Sequence, residues 1–538
     1  MMMEESNGQE RHGTQALVRI AQPLAIVGLM LMFAGLAGRL LAYPLNRDEH
    51  LYISAAARLP SGNLYRDLGY NHLPNLPYLL SGIYRLTGTE HLLLTGRIVV
   101  LLFWLAALAG LWLIGRALNA GKLATAVSMV LLMGTVLLLG EPGMLVTNNF
   151  LPIPLVFLAF YFLIRGLDGT SPSMAGSFLA GVFVSLAIGL KANYVFLAPC
   201  FAVTTLVAPA LRPFRERLLR SFIPLALGGL VGGIPSIAYF AADAPGMVAH
   251  TLRYFTELQT AYWAHSSEPK MYTVTAKVLL AEDVWLSNAS LLAMAGLLAL
   301  FLIPVFARGV SGGLRLLWHW PLLLLLAIIG FGFVVAFVPT PAFPQYFVPP
   351  VPFVIAAILV MHARLDEAEQ RQAMPMLLAI GLLALVGSAS RILPGLPALA
   401  RPATLSGIKI NREARALAKQ ANLQPGDRVA TLSPVLALEA GASIYPEFAA
   451  GQFVYRVADY IPPADRQFYR TTSERDLGAF LDANPPAAII VNPDEPIEQP
   501  FLAYAQSRGY REVTRPDSTK RGSMRLFANP NWGGLPVC

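Results

Sequence analysis

From Ala16 onward the chain returns repeatedly to long apolar runs, and these constrain it more than any other feature. A run of about 20 apolar residues is long enough to cross the hydrocarbon core of a bilayer as a helix. A helix satisfies its own backbone hydrogen bonds there, which irregular chain exposed to lipid cannot do. The runs cover 16–43, 92–115, 123–140, 145–164, 174–190, 194–211, 222–241, 285–307, 318–338, 346–361 and 374–388. Charged residues make up 13% of the chain, where a soluble domain carries about 25%. The expected fold is therefore an all-α polytopic membrane bundle of about eleven transmembrane helices.

The first run is followed by charged loop and not by a small-residue cleavage site, so it reads as a retained helix. The net charge of +8 implies no nucleic acid, because cytoplasmic loops of membrane proteins carry excess Lys and Arg. The two cysteines, Cys200 in an apolar run and Cys538 at the end, give no disulfide framework. With residues 1–15 as a cytoplasmic tail, the inner loops collect Arg116, Lys122, Arg165, Arg212, Arg215, Arg217, Arg220, Arg308, Arg315, Arg364 and Arg371. The short outer loops at Glu141 and near Pro341 hold no Lys or Arg. That asymmetry supports an odd number of spans. It puts a first loop over 44–91, a long loop over 242–284 and the tail over 392–538 outside the cytoplasm, beyond a transmembrane domain over 16–391.

The tail alternates between helical and strand-like stretches. Glu413–Ala421, Val435–Glu439, Leu477–Ala483 and Phe501–Gly509 read as helices. Asp427–Leu432, Ala487–Val491 and Ser523–Phe527 read as strands, which suggests a small α/β soluble domain. It contains no GxGxxG, P-loop or CxxC.

The first outer loop concentrates chemistry-bearing side chains. Asn46-Arg47-Asp48-Glu49 fits a helix start of the capping-box kind, with Asn46 at the cap and Glu49 three residues on. A carboxylate just past a span is costly unless it has a partner or a function, and it could act as a general base. Asp48 and Tyr52 are four apart and share a helix face. Tyr65, Arg66, Asp67, Asn71 and His72 follow in the same loop. Arg97, one turn inside the second span, and Lys191, at the outer end of the fifth, either snorkel to the interface or clamp a phosphate. Tyr262, Trp263 and His265 offer aromatic faces for a sugar or an interfacial belt, and Gln345 and Tyr346 open the tenth span at similar depth. Glu49, His72 and His265 are the donors that a divalent metal ion would take, although no tight spacing such as HExxH is present. No other cofactor is implied.

At these residues the chain resembles the GT-C superfamily of integral-membrane glycosyltransferases that use polyprenyl-phosphate sugars. The likeness is to the branch of protein mannosyltransferases, aminoarabinose transferases and rhizobial lipopolysaccharide galacturonosyltransferases. It is carried by Asp48-Glu49 with Tyr52, by Gly62-Asn63-Leu64-Tyr65-Arg66-Asp67, and by His72 with Pro74. Gly88, Arg97, Gly189 with Lys191, and Gln345-Tyr346 with Pro349 and Pro350 support it. Where the family often has an acidic residue near the outer start of the fourth span, this chain has Asn148 and Asn149. Its His-Pro-Pro pattern is altered to His72-Leu73-Pro74-Asn75.

The resemblance implies an inverting transfer on the periplasmic side of a bacterial inner membrane, from a polyprenyl-phosphate-linked sugar to an envelope glycan, lipid or protein. In that scheme Asp48 and Glu49 are catalytic, and Arg97, Lys191 and Arg66 bind the donor phosphate. Tyr52, Tyr65, Asp67, Asn71, His72, Tyr262, Trp263, His265, Gln345 and Tyr346 shape the sugar and acceptor site. Two other classes fit parts of the pattern: a lipid-linked glycan transporter or flippase, and a catalytically inactive assembly subunit. No internal repeat of the kind transporters show is visible.

Overall fold

The computed structural model describes residues 26–168, 172–266, 272–513 and 524–532; the tail expected over 1–15, and Cys538, lie outside the described residues. Among the described residues, five helices are long and apolar enough to cross a bilayer: Leu92–Ala117, Asn288–Leu317, Trp320–Phe337, Pro344–Arg364 and Glu367–Ile392. Two bent pairs raise the number to seven, Ile26–Ala42 with Arg47–Ser61 at 80° and Phe214–Gly232 with Ile234–His265 at 63°. Lys122–Gly134, Pro152–Leu167, Met174–Leu190 and Ala192–Val207 are shorter apolar helices. Each apolar run of the sequence falls at least in part on one of these helices, in a multi-pass membrane protein.

The shortening has a cause that matters for the site. The helix beginning at Lys122 ends at Gly134, and the next long one starts only at Pro152. Pro142, Pro152 and Pro154 remove backbone donors, so this stretch cannot be one continuous helix. Residues 144–152 are nevertheless all buried. Irregular backbone at this depth is tolerated where protein, and not lipid, surrounds it. Close helix packing holds that surround together. At Gly181 and Gly228 an added Cβ would strike the facing backbone carbonyl, so the Met174–Leu190 and Ile223–Gly232 helices meet through small residues.

The stretch expected to be a loop over 242–284 is largely helical. The chain kinks at Asp243, beside Pro245, and then runs on as helix to His265. It is helical again over Val274–Trp285.

The C-terminal part carries a five-stranded sheet in the order β2-β1-β3-β5-β4. Strand β1 (Arg428–Ala430) pairs in parallel with both β2 (Ser443–Ile444) and β3 (Ala488–Val491). Strands β4 (Arg511–Val513) and β5 (Arg525–Ala528) add antiparallel on the other side of β3. Strands β2 and β4 were not foreseen, being two and three residues long and without apolar alternation.

This α/β unit is bolted onto the bundle. Glu439 is fully buried, and its two carboxylate oxygens accept from the Leu93 backbone N–H (2.8 Å) and from Asn411 Nδ2 (2.6 Å). Leu93 lies in the first turn of the Leu92–Ala117 helix, whose own cap residue, His91, makes no side-chain cap. Glu439 therefore supplies from another part of the chain the acceptor that a helix N-terminus needs. The Val435 N–H donates to His50 Nδ1 (3.3 Å), and the Tyr254 hydroxyl donates to the Phe453 carbonyl (2.8 Å).

Candidate functional site

The Arg47–Arg58 helix begins with Asn46 as its cap. Asn46 Oδ1 accepts from the Asp48 N–H (3.0 Å) and the Asn46 N–H donates back to Glu49 Oε2 (3.2 Å), a full capping box. Helical geometry then sends the two carboxylates in different directions. Glu49 turns inward and is fully buried, and Asp48 keeps a side chain 26% exposed.

Glu49 meets Arg97. Arg97 Nε donates to Oε1 and Nη2 to Oε2, both at 2.6 Å. Arg97 also donates to the carbonyls of Leu40 (2.6 Å) and Pro44 (3.2 Å), and Glu49 Oε1 accepts from the Val146 N–H (2.9 Å). Both side chains have zero exposure. The pair knits together the first bent helix, the second span and the irregular stretch. Its guanidinium presents no open face, so Arg97 stands elsewhere than a phosphate clamp would, and Glu49 has no carboxylate oxygen free for a metal.

Lys191 is placed differently. The Met174–Leu190 helix stops with Lys191 in an extended conformation, and the chain re-enters a helical turn at Ala192. Asn148 Nδ2 donates to the Leu190 carbonyl (3.1 Å) and fixes that break. Lys191 Nζ donates to Asn149 Oδ1 (2.5 Å) and sits 5.6 Å from the centre of the Tyr346 ring. An amide accepts this hydrogen bond without neutralising the ammonium. Burial pulls the Lys191 pKa down to about 7, and Asp48 pulls the other way. For Asp48, burial in its surround raises the pKa, Arg47 and Arg456 lower it, and Glu141 and Glu49 add to the rise.

Around these two charges stand Tyr52, His72 and Tyr346. The Tyr52 and His72 rings lie 5.4 Å apart, and His72 packs edge-on to Phe255 at 5.2 Å. His72 Nδ1 is 2.8 Å from Asn71 Oδ1. Burial, then Lys191, depress His72 to about 3, so it is a neutral polar wall at ordinary pH. Gln345 shares the Pro344–Phe347 turn with Tyr346.

Other residues singled out in the sequence have other roles. Arg66 turns to solvent and pairs with Asp243 (2.7 Å), tying the first loop to the kink in the Ile234–Val248 helix. Asp67 accepts from the Asn63 N–H (2.6 Å) and closes the turn that follows Gly62. The Tyr65 hydroxyl donates to the His72 carbonyl (3.2 Å), and its ring packs on Tyr239 and His250. His265 is exposed, donates through Nδ1 to the Ala261 carbonyl and stacks on Tyr460. Glu49, His72 and His265 thus do not gather, and among the described residues no group of three His, Cys, Asp or Glu could hold a metal ion.

One participant was missed altogether. Arg456, from the C-terminal unit, has its guanidinium carbon 5.3 Å from the Tyr262 ring, 5.2 Å from Trp263 and 5.0 Å from Phe453. Its charge acts on Asp48, Tyr346 and Tyr254. No local motif marks it; only the foreseen Tyr262-Trp263 pair, once folded, points to it.

A family model described as dolichyl-phosphate-mannose-protein mannosyltransferase matches residues 71–239. A search of curated proteins returns no match. Among solved structures, apo ArnT from Cupriavidus metallidurans is 15% identical with a TM-score of 0.57, over 96% of this chain and 98% of that one. The same protein bound to undecaprenyl phosphate is 16% identical with a TM-score of 0.57, over 94% and 97%. Arabinofuranosyltransferase AftD from Mycobacteria gives 17% identity and a TM-score of 0.47, over 95% of this chain and 40% of that one. The chain therefore shares the fold of ArnT along nearly its whole length.

Proposed function

We propose that the protein transfers a sugar from a polyprenyl-phosphate donor to an envelope acceptor, at the periplasmic face of a bacterial inner membrane. The observation that carries this reading is the convergence of Asp48 and Lys191. They come from distant parts of the chain, act electrostatically on one another, and share a wall of Tyr52, His72 and Tyr346. The undecaprenyl phosphate bound by ArnT, which shares the fold, supports a lipid phosphate as the anion.

In the reaction, Asp48 accepts the acceptor hydroxyl proton as the oxygen attacks the anomeric carbon. The bond from that carbon to the phosphate oxygen breaks, its electron pair leaves with polyprenyl phosphate, and attack from the opposite face inverts the centre. Lys191 stabilises the negative charge that grows on the phosphate. Glu49 and Arg97 act as the frame that aims Asp48, and are not reactants.

Transfer of radiolabelled sugar from a polyprenyl-phosphate donor by Asp48→Asn tests the scheme. A rate about 10²- to 10⁴-fold lower is expected in a folded protein; a wild-type rate removes Asp48 from the mechanism. Uptake of lipid-linked glycan into proteoliposomes with no transfer would instead favour a flippase.

A further inference from the structure

Cations near the Asp48 cleft differ in what they have left to offer. Arg97 is closed by Glu49 and two carbonyls. Arg66 is held at the surface by Asp243. Lys191 is bonded to Asn149 and sits where its proton is easily lost. Arg456 combines a permanent charge with a buried Nε that is left without a hydrogen-bond partner. The neighbour its guanidinium does bond is the neutral Tyr254 hydroxyl. A buried N–H of a charged group left without an acceptor is expensive, so it calls for an explanation, and a ligand anion is one that would satisfy it. Three aromatic rings fix the plane of the guanidinium, so the fork is oriented before anything binds.

We propose that Arg456 binds the phosphate of the lipid donor and of the released lipid carrier, so that the C-terminal α/β unit contributes a residue to the reaction centre. The inference rests on the polyprenyl-phosphate reading above and deepens it. A sugar-linked lipid phosphate is a diester with one negative charge. When the anomeric carbon–oxygen bond breaks, the bond's electron pair stays on the phosphate, which becomes a monoester and gains a charge. A guanidinium presents two parallel N–H groups to such an oxygen pair, and cannot lose its proton as Lys191 can. The two cations thus act at different moments. Arg456 holds the anion throughout, and Lys191, beside Asp48, answers the charge that appears on departure.

The opposing structural explanation is that Arg456 only staples the C-terminal unit to the Gln259–His265 helix through its aromatic contacts. Binding of two lipids by the detergent-solubilised full chain separates the two. Undecaprenyl phosphate and undecaprenol differ only in the phosphate. The wild type is expected to prefer the phosphate; no preference would sink the polyprenyl-phosphate reading itself. Arg456→Gln is expected to weaken undecaprenyl phosphate about 10-fold or more, the loss of one charge-assisted hydrogen bond, and to leave undecaprenol unchanged. Arg456→Lys should recover part of that loss, and it reads the same contrast where the Gln variant fails to fold. Unchanged phosphate binding, or an equal loss for both lipids, overturns the assignment of Arg456 while leaving the donor class intact.

Discussion

Arg97 and Glu49 form a two-pronged pair with no solvent exposure, 48 residues apart in the chain, inside the mouth of the bundle. A buried pair of this kind adds little net stability against an apolar replacement, but breaking one side leaves a charge stranded. Arg97→Met alone should therefore lower stability by about 3–5 kcal/mol. Joining it to Glu49→Leu should restore part of the loss, because no lone charge remains. Thermal unfolding in detergent measures both. An Arg97→Met protein of normal stability that fails only in donor binding would return Arg97 to the substrate site.

The pH dependence of kcat/KM follows from the two charges that must be set correctly. Lys191 is protonated below its pKa of about 7, so its positive charge is present there and is lost as pH rises. Asp48, whose pKa is raised, is a base only above that raised value and is lost as pH falls. Activity should thus be bell-shaped with a falling limb near neutrality. A bound phosphate favours the charged ammonium, so the falling limb of kcat should lie at higher pH. Lys191→Arg should abolish the falling limb, since its guanidinium stays protonated. A profile flat through neutral pH in the wild type would exclude Lys191 from the rate.

Glu439 should matter for stability in proportion to what replaces it. Glu439→Ala leaves the Leu93 N–H and Asn411 Nδ2 without their buried acceptor, a cost of about 1–3 kcal/mol. Glu439→Gln keeps one acceptor oxygen and should cost less. Limited proteolysis of the C-terminal unit, read against the melting temperature, checks the order. Equal behaviour of the two variants would contradict the cap.

Arg66→Ala should change little. Its own guanidinium is largely exposed, although Asp243 is mostly covered, and a pair with one end in solvent contributes about 0–1 kcal/mol. The KM for lipid donor should stay at the wild-type value. A large rise would mean that Arg66 leaves Asp243 for the donor.

The sequence carried the apolar helices of the bundle, because apolar runs are local, but not which of them stop short of a full span. Its failures were of direction. Asn46 to Glu49 was readable as a capping box, and the box is present, but two adjacent carboxylates look alike until the helix turns one inward to Arg97 and the other toward Lys191. Arg66 and Asp67 read as substrate-binding, and the structure occupies the first with Asp243 and the second with the turn at Asn63. Arg456 was invisible because it acts on Asp48 from a part of the chain 408 residues further on, with no spacing rule linking them. Asn149 is the opposite case: it stood out as a missing acid, and the structure shows what the amide does, which is to accept the Lys191 hydrogen bond while leaving its charge standing.

The seating of the C-terminal unit on His50, Leu93 and Tyr254 has a consequence for biosynthesis. The helices that enter the membrane are synthesised first, yet the unit that packs against them is translated last. A nascent chain stalled before Gly451 should insert and adopt its topology while lacking Arg456 and the Tyr254–Phe453 hydrogen bond. Lipid-carrier capture by such stalled chains, compared with full-length protein in the same membranes, would show whether competence arrives only with the last stretch of translation.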